Sequence, residues 1–139
     1  MTHISADNKG DKFLYKGLSY KLMGCFYEVY NELGPAHKEQ IYQQALKIVF
    51  EEKEIEYVDN KRFKIKFKNK EIGTYQPDFV VEGKIIIEIK SVPNTSKVFE
   101  KQLYYYLRGS NYKVGYLVNF GAGNIEIQRR VLDTARKKD

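Results

Sequence analysis

The sequence predicts an α/β domain of the α+β kind, with a central mixed sheet flanked by helices. Three observations predict it. Apolar residues recur at three- and four-residue steps up to Leu33 and again over 37–53; the period falls to two after Ile55; and one helical segment, 97–108, splits the run of strands. Strands interrupted by a single helix bury their apolar faces best as one sheet with helices packed on it.

The first helical stripe is Leu18, Leu22, Cys25, Phe26, Val29 and Leu33. Gly34-Pro35 ends it, because glycine suits the left-handed cap and proline cannot continue a helix. A second helix is expected from His37 to Lys53, with Tyr42, Ala45, Leu46, Val49 and Phe50 as its stripe. Arg62, Lys64, Lys66, Lys68 and Lys70 then alternate with Phe63, Ile65 and Phe67, the pattern of a strand with one cationic and one apolar face. Lys68-Asn69-Lys70 reads as a hairpin tip, followed by one strand from Glu71 to Val81 and a turn at Glu82-Gly83. The third strand, Lys84 to Ser91, holds three consecutive isoleucines. Ser96 is placed to cap the helix that Gly109 stops. Lys113 to Phe120 is a further strand, and Ile125 to Val131 a final edge strand. Residues 1–14 read as a loose arm, 15–132 as a single domain and 133–139 as a charged tail.

Charge and composition narrow the function. The net charge is +6 over 139 residues, which favours an anionic partner, nucleic acid before a membrane surface. The single cysteine, Cys25, rules out an intramolecular disulfide, and with only His3 and His37 a multi-histidine metal site is not expected. The opening MTHISADNKGDKF lacks the apolar core of a signal peptide, and no apolar run approaches the ~20 residues needed to span a bilayer. The expectation is a soluble, cytoplasmic protein without a membrane partner; its exposed sheet edge leaves room for a homodimer.

The informative segment is Gln76-Pro77-Asp78 followed by Glu88-Ile89-Lys90. Period two puts Glu88 and Lys90 on one face of their strand and Ile85, Ile87 and Ile89 on the other, toward the core. A three-residue loop, Glu82-Gly83-Lys84, sets Asp78 opposite Glu88, with Gly83 suited to the left-handed position of such a turn. Two carboxylates and an ammonium then share one sheet face. With no histidine or thiol beside them, they suit a hard divalent cation, Mg²⁺ or Mn²⁺, and the chemistry of such a site is phosphodiester hydrolysis.

Pro77-Asp78, nine residues, then Glu88-Ile89-Lys90 resembles the signature of the PD-(D/E)XK nuclease superfamily. Leu33-Gly34-Pro35 with Glu39 and Tyr42 resembles the defining region of its GxxExxY branch; Gln102-Leu103 with Tyr106-Leu107 and Val118-Asn119-Phe120-Gly121 resemble later parts of the same pattern. The resemblance spans residues 16 to 131. It implies a restriction-endonuclease-like core, α-β-β-β-α-β, with an extra N-terminal helix and a C-terminal edge strand. It departs at Ala36, where the branch has its first glycine; alanine permits a helix start but does not favour positive φ.

The resemblance also implies roles. Asp78 and Glu88 would hold the metal together with the backbone carbonyl of Ile89, Lys90 would be the catalytic lysine, and Glu39 would bind the metal directly or through water. Gln102 and Tyr106, one helical turn apart, would line the site or touch the phosphate backbone. Tyr42 reads as packing, and Glu39 taken alone would read as a solvated helix residue. The cationic strand has two readings. Arg62, Lys64, Lys66 and Lys68 could contact phosphates, or lysines on an exposed edge could discourage aggregation. The function expected is metal-dependent hydrolysis of DNA with structural or end preference; the alternative is a non-catalytic nucleic-acid-binding module on the same fold.

Overall fold

The structure is a computed structural model and describes residues 13–132. Most of the 1–14 arm and the whole 133–139 tail expected from the sequence lie outside the described residues. In chain order the elements are α1 (Lys16–Leu33), α2 (Glu39–Glu52), β1 (Tyr57–Asp59), β2 (Phe63–Phe67), β3 (Lys70–Tyr75), β4 (Phe79–Val81), β5 (Ile85–Lys90), α3 (Lys97–Arg108), β6 (Val114–Asn119) and β7 (Glu126–Val131). The central sheet has the order β1-β4-β5-β6-β7, and β2 and β3 pair separately as a hairpin. The β5–β6 pair is parallel, with α3 as its crossover, and the other pairs are antiparallel, so the sheet is mixed.

The alternation along β5 divides the interior in two. Ile85, Ile87 and Ile89 join Leu22, Phe26 and Val29 of α1 and Leu46 and Phe50 of α2 in the larger core. Ile86 faces the other way, into a smaller core with Tyr75, Leu103, Leu107 and Leu117 under α3. Glu88 and Lys90 share the face of Ile86, so they point toward α3. That helix can lie close because Gly115 has no side chain; a Cβ there would stand 2.8 Å from Cδ1 of Leu103. Ser96 caps α3 as expected, its Oγ accepting the Val98 N–H at 3.1 Å.

Two expectations about the strands need correction. The segment Glu71 to Val81 is not one strand: Gln76-Pro77-Asp78 breaks it into β3 and β4, which belong to different sheets. Proline has no N–H to give a central ladder, and it ends the pairing there. The first core strand is not the cationic segment but β1, which pairs with β4 from Tyr57–Val81 to Asp59–Phe79. Three residues are too few to show a period of two. The hairpin tip is the pair Lys68-Asn69, both at positive φ (52° and 66°), the geometry that matches the twist of two paired strands. The predicted loop of Glu82, Gly83 and Lys84 is present: Val81 pairs with Ile85, and Gly83 sits at φ 64°.

Candidate functional site

The loop after β4 determines the register, and the register builds the site. Phe79 pairs with Ile87, so one step further Asp78 comes opposite Glu88, and Pro77 opposite Ile89. Pro77 has no N–H to offer the Ile89 carbonyl, and the Asp78 side chain serves instead as acceptor for the Ile89 N–H. The Ile89 N–H donates to Asp78 Oδ2 at 2.6 Å. In a strand the N–H and C=O of one residue point to the same edge, so the Ile89 carbonyl opens toward Asp78 as well. The Lys90 carbonyl points the other way, accepting the Phe120 N–H at 2.9 Å.

Helix α2 supplies the next wall. Glu39 lies in its first turn and Gln43 one turn later, on the same face. Gln43 Nε2 donates to Asp78 Oδ1 at 2.7 Å. The loop into α2 is fastened by Tyr42, which is fully buried and stacked on Phe120 with ring centroids 4.3 Å apart. Its hydroxyl donates to the Gly34 carbonyl and accepts the His37 N–H. Tyr42 is therefore the packing residue the sequence suggested. Between these contacts Ala36 is held at φ 74°, the left-handed region that a glycine would adopt freely.

Helix α3 closes the site on its other side. A cavity of about 160 Å³ is lined by Tyr75, Glu88, Lys90, Phe99, Gln102 and Tyr106, among others. The Tyr75 hydroxyl donates to Glu88 Oε2, and the Tyr75 ring stacks on Tyr106 with centroids 3.4 Å apart. Lys90 Nζ lies 4.3 Å from the centroid of the Phe99 ring. Among the described residues the ion pairs are Lys47–Asp59, Lys53–Glu28 and Arg130–Glu100, so Lys90 is paired to neither acid.

The electrostatics follow from this arrangement. Burial pushes the Glu88 carboxyl up to about 7; the Tyr75 hydrogen bond opposes that rise, and the charge of Asp78 adds to it. Asp78 is also raised, first by burial, while the Ile89 N–H holds it down and the charge of Glu39 lifts it. The charge of Glu39, in the first turn of α2, raises both acids. Burial and the Glu88 charge push the Tyr75 phenol up, which keeps it a proton donor. The site is short of positive charge, since Lys90 offsets only part of what burial and mutual repulsion impose. Two carboxylates and an open backbone carbonyl are hard oxygen donors of the kind that hold Mg²⁺ with waters completing its shell. Among the described residues no three acidic, histidine or cysteine side chains form a group that could hold a metal ion.

Glu88, Lys90, Gln102 and Tyr106 thus line one cavity, Asp78 is tied to Ile89 beside it, and Glu39 reaches the acids through its charge alone, with no hydrogen bond to them. Arg62, at the hairpin base, donates from Nη2 to Gln76 Oε1 at 3.3 Å. Lys64, Lys66 and Lys68 are exposed along the hairpin, and none of them lines the cavity. Gln43 and Tyr75 were not singled out from the sequence. Gln43 had a signal, its one-turn spacing from Glu39; Tyr75 had none, because the Gln76–Asp78 break hides its alignment with Glu88.

No curated protein matches the chain. A family model described as the PD-(D/E)XK nuclease superfamily matches residues 16–131, which takes in every element from α1 to β7. With Asp78 opposite Glu88, Glu88-Ile89-Lys90 at a strand end and a mixed central sheet flanked by helices, the chain belongs to the PD-(D/E)XK nuclease superfamily.

Proposed function

We propose that this protein is a metal-dependent nuclease of the GxxExxY branch, hydrolysing phosphodiester bonds in DNA. One observation carries the reading. Two partly buried carboxyls, Asp78 and Glu88, lie opposite each other in the β4–β5 register with pKa values both raised, and among the described residues no lysine or arginine forms an ion pair with them. A site short of one or two positive charges fits a divalent cation, Mg²⁺ or Mn²⁺.

Asp78, Glu88 and the Ile89 carbonyl would hold the cation, with Glu39 acting through water. When bound, the cation neutralises charge on the phosphate and makes water a better nucleophile. The chain's own groups do the rest. Gln43 and the Ile89 N–H fix both oxygens of Asp78. Tyr75 orients Glu88 by donating to it. The Lys90 ammonium lies over Phe99 instead of against a carboxylate, so its charge can turn to the phosphate as negative charge develops. Gln102 and Tyr106, across the cavity, would meet the neighbouring backbone phosphate. The exposed Arg62, Lys64, Lys66 and Lys68 would hold the strand further out.

The basic balance, +6, and the absence among the described residues of any helix long and apolar enough to cross a membrane accord with a nucleic-acid partner rather than a bilayer. The lone, buried Cys25, its thiol pushed up to about 11 by burial, fits a reducing compartment such as the cytoplasm.

The test is cleavage of single-stranded, duplex and branched DNA with Mg²⁺ or Mn²⁺. The expected result is metal-dependent cleavage that Lys90→Ala abolishes. DNA binding without cleavage in either metal would overturn the enzymatic reading and leave a binding module on a nuclease fold.

A further inference from the structure

The β2–β3 hairpin carries more than charge. Residues 61–70 hold six cations and no acid, and Glu71 in β3 is the hairpin's one acid. The same hairpin also exposes three large apolar side chains, Ile65, Phe67 and Ile72, with Phe67 60% and Ile72 66% exposed. Lysines alone would protect an edge from aggregation; displaying a phenylalanine and two isoleucines does the opposite. A two-stranded sheet is marginal by itself. Among the described residues the hairpin's ring contacts with the rest of the domain lie at its base, where Phe63 meets the edge of Tyr112 (centroids 5.6 Å) and Tyr75 stacks on Tyr106 (3.4 Å). Phe67 is the last residue of β2 before the tight Lys68-Asn69 turn, and Lys68 Nζ lies 5.5 Å from the centroid of its ring. The tip is an aromatic ring set among ammonium groups.

We infer that this hairpin is a wedge for the junction between duplex and single-stranded DNA, with Phe67 the side chain that stacks on the terminal base pair. The inference rests on the nuclease reading for its substrate class. Charge selects nucleic acid as the occupant. A second copy would set a net charge of +5 over residues 61–75 against the same charge, whereas a phosphate backbone is attracted to it. Apolar side chains set in a cationic surface insert at base steps that are already weak, and a junction offers a terminal pair with one open face.

The hairpin also acts as a ruler. Its base reaches the site directly, since Tyr75, the partner of Phe63, donates to Glu88. From Phe63 to Phe67 is four strand steps of ~3.3 Å, so ~13 Å. At ~3.4 Å per nucleotide along a strand, that places cleavage about four nucleotides from the junction.

The chain has no tryptophan, so Phe67→Trp installs a single fluorescent reporter at the tip. Its emission should be quenched by a Y-shaped DNA with two unpaired arms and much less by blunt duplex of equal length. Phe67→Ala should melt with the parent, because the ring is exposed, and should lose the roughly tenfold preference for the fork that one stacking contact supplies. Where the parent cleaves, cuts should cluster about four nucleotides from the junction and spread in Phe67→Ala. If the parent binds the fork without cleaving it, the nuclease reading fails, and the quenching and the preference still decide the wedge. Equal quenching by fork and blunt duplex, or an unchanged fork preference in Phe67→Ala, would overturn it. So would a parent that sediments as a dimer which Phe67→Ala dissociates, because the face would then be a self-interface.

Discussion

The carboxylate of Asp78 accepts the backbone N–H of Ile89 at 2.6 Å, which ties the end of β4 to the residue between Glu88 and Lys90. A side-chain oxygen accepts the N–H that a backbone carbonyl of β4 would have accepted in a longer ladder. Pro77, opposite Ile89, has no N–H to offer the Ile89 carbonyl, so the proline that breaks the strand also leaves that oxygen turned toward Asp78.

Asp78→Asn should separate repulsion from metal binding. Asparagine can still accept the Ile89 N–H but carries no charge beside Glu88 and Glu39. The metal-free variant should melt at or above the parent's temperature at pH 8. Mg²⁺ at one hundred times its Kd should stabilise the parent by ~2.7 kcal/mol, or several degrees, and leave the variant unmoved. Thermal melts with and without metal check this; a variant less stable than the metal-free parent would make Asp78 a structural residue.

Glu88 makes the metal-free fold pH-dependent. Its pKa rises from 4.5 to about 7 on folding, first through burial. The native state therefore holds this proton more tightly than the unfolded chain does. The resulting stability is fully present below about 4.5 and is lost as pH rises through about 7, a loss on the order of 3 kcal/mol. Urea unfolding across that window should show the fall, and Glu88→Gln should flatten it. Tyr75→Phe removes the hydrogen bond that holds this pKa down, so the same window should move to higher pH.

Lys64 and Lys66 are exposed along β2. If they contact phosphates, replacing both with alanine should weaken DNA binding and reduce the slope of log Kd against log salt by ~1 per lost contact. Binding isotherms at four or five salt concentrations measure this. An unchanged slope would assign the two lysines to edge protection alone.

Ala36 at φ 74° stores backbone strain that glycine would not. Ala36→Gly should stabilise the fold by about 1 kcal/mol, less what glycine's looser unfolded chain takes back. A melting temperature raised by a few degrees would verify it. An unchanged or lower one would mean that the Tyr42 contacts to Gly34 and His37 already absorb the strain.

Local pattern alone determined much of this protein. Helical period, glycine stops and the Ser96 cap are properties of neighbouring residues, and α1, α2 and α3 stand where those signals put them. The Glu82-Gly83-Lys84 loop was legible too. Because side chains alternate along a strand, the loop length set the register, and the register set Asp78 against Glu88. The family resemblance, not periodicity, singled out Glu39, Gln102 and Tyr106. Only the tertiary structure decided the rest. Tyr57–Asp59 is too short to show a period, and it is a strand because β4 offers it an edge. The cationic segment has a clear period of two, yet it lies outside the central sheet, since Pro77 ends β4 and sends β3 away with β2. Gln43 and Tyr75 reached the acids through packing, one from a helix and one from the other side of a strand break. Period and turn chemistry act over a few residues; which elements become neighbours depends on burying both faces of one sheet at once, and no local stretch of sequence carries that condition.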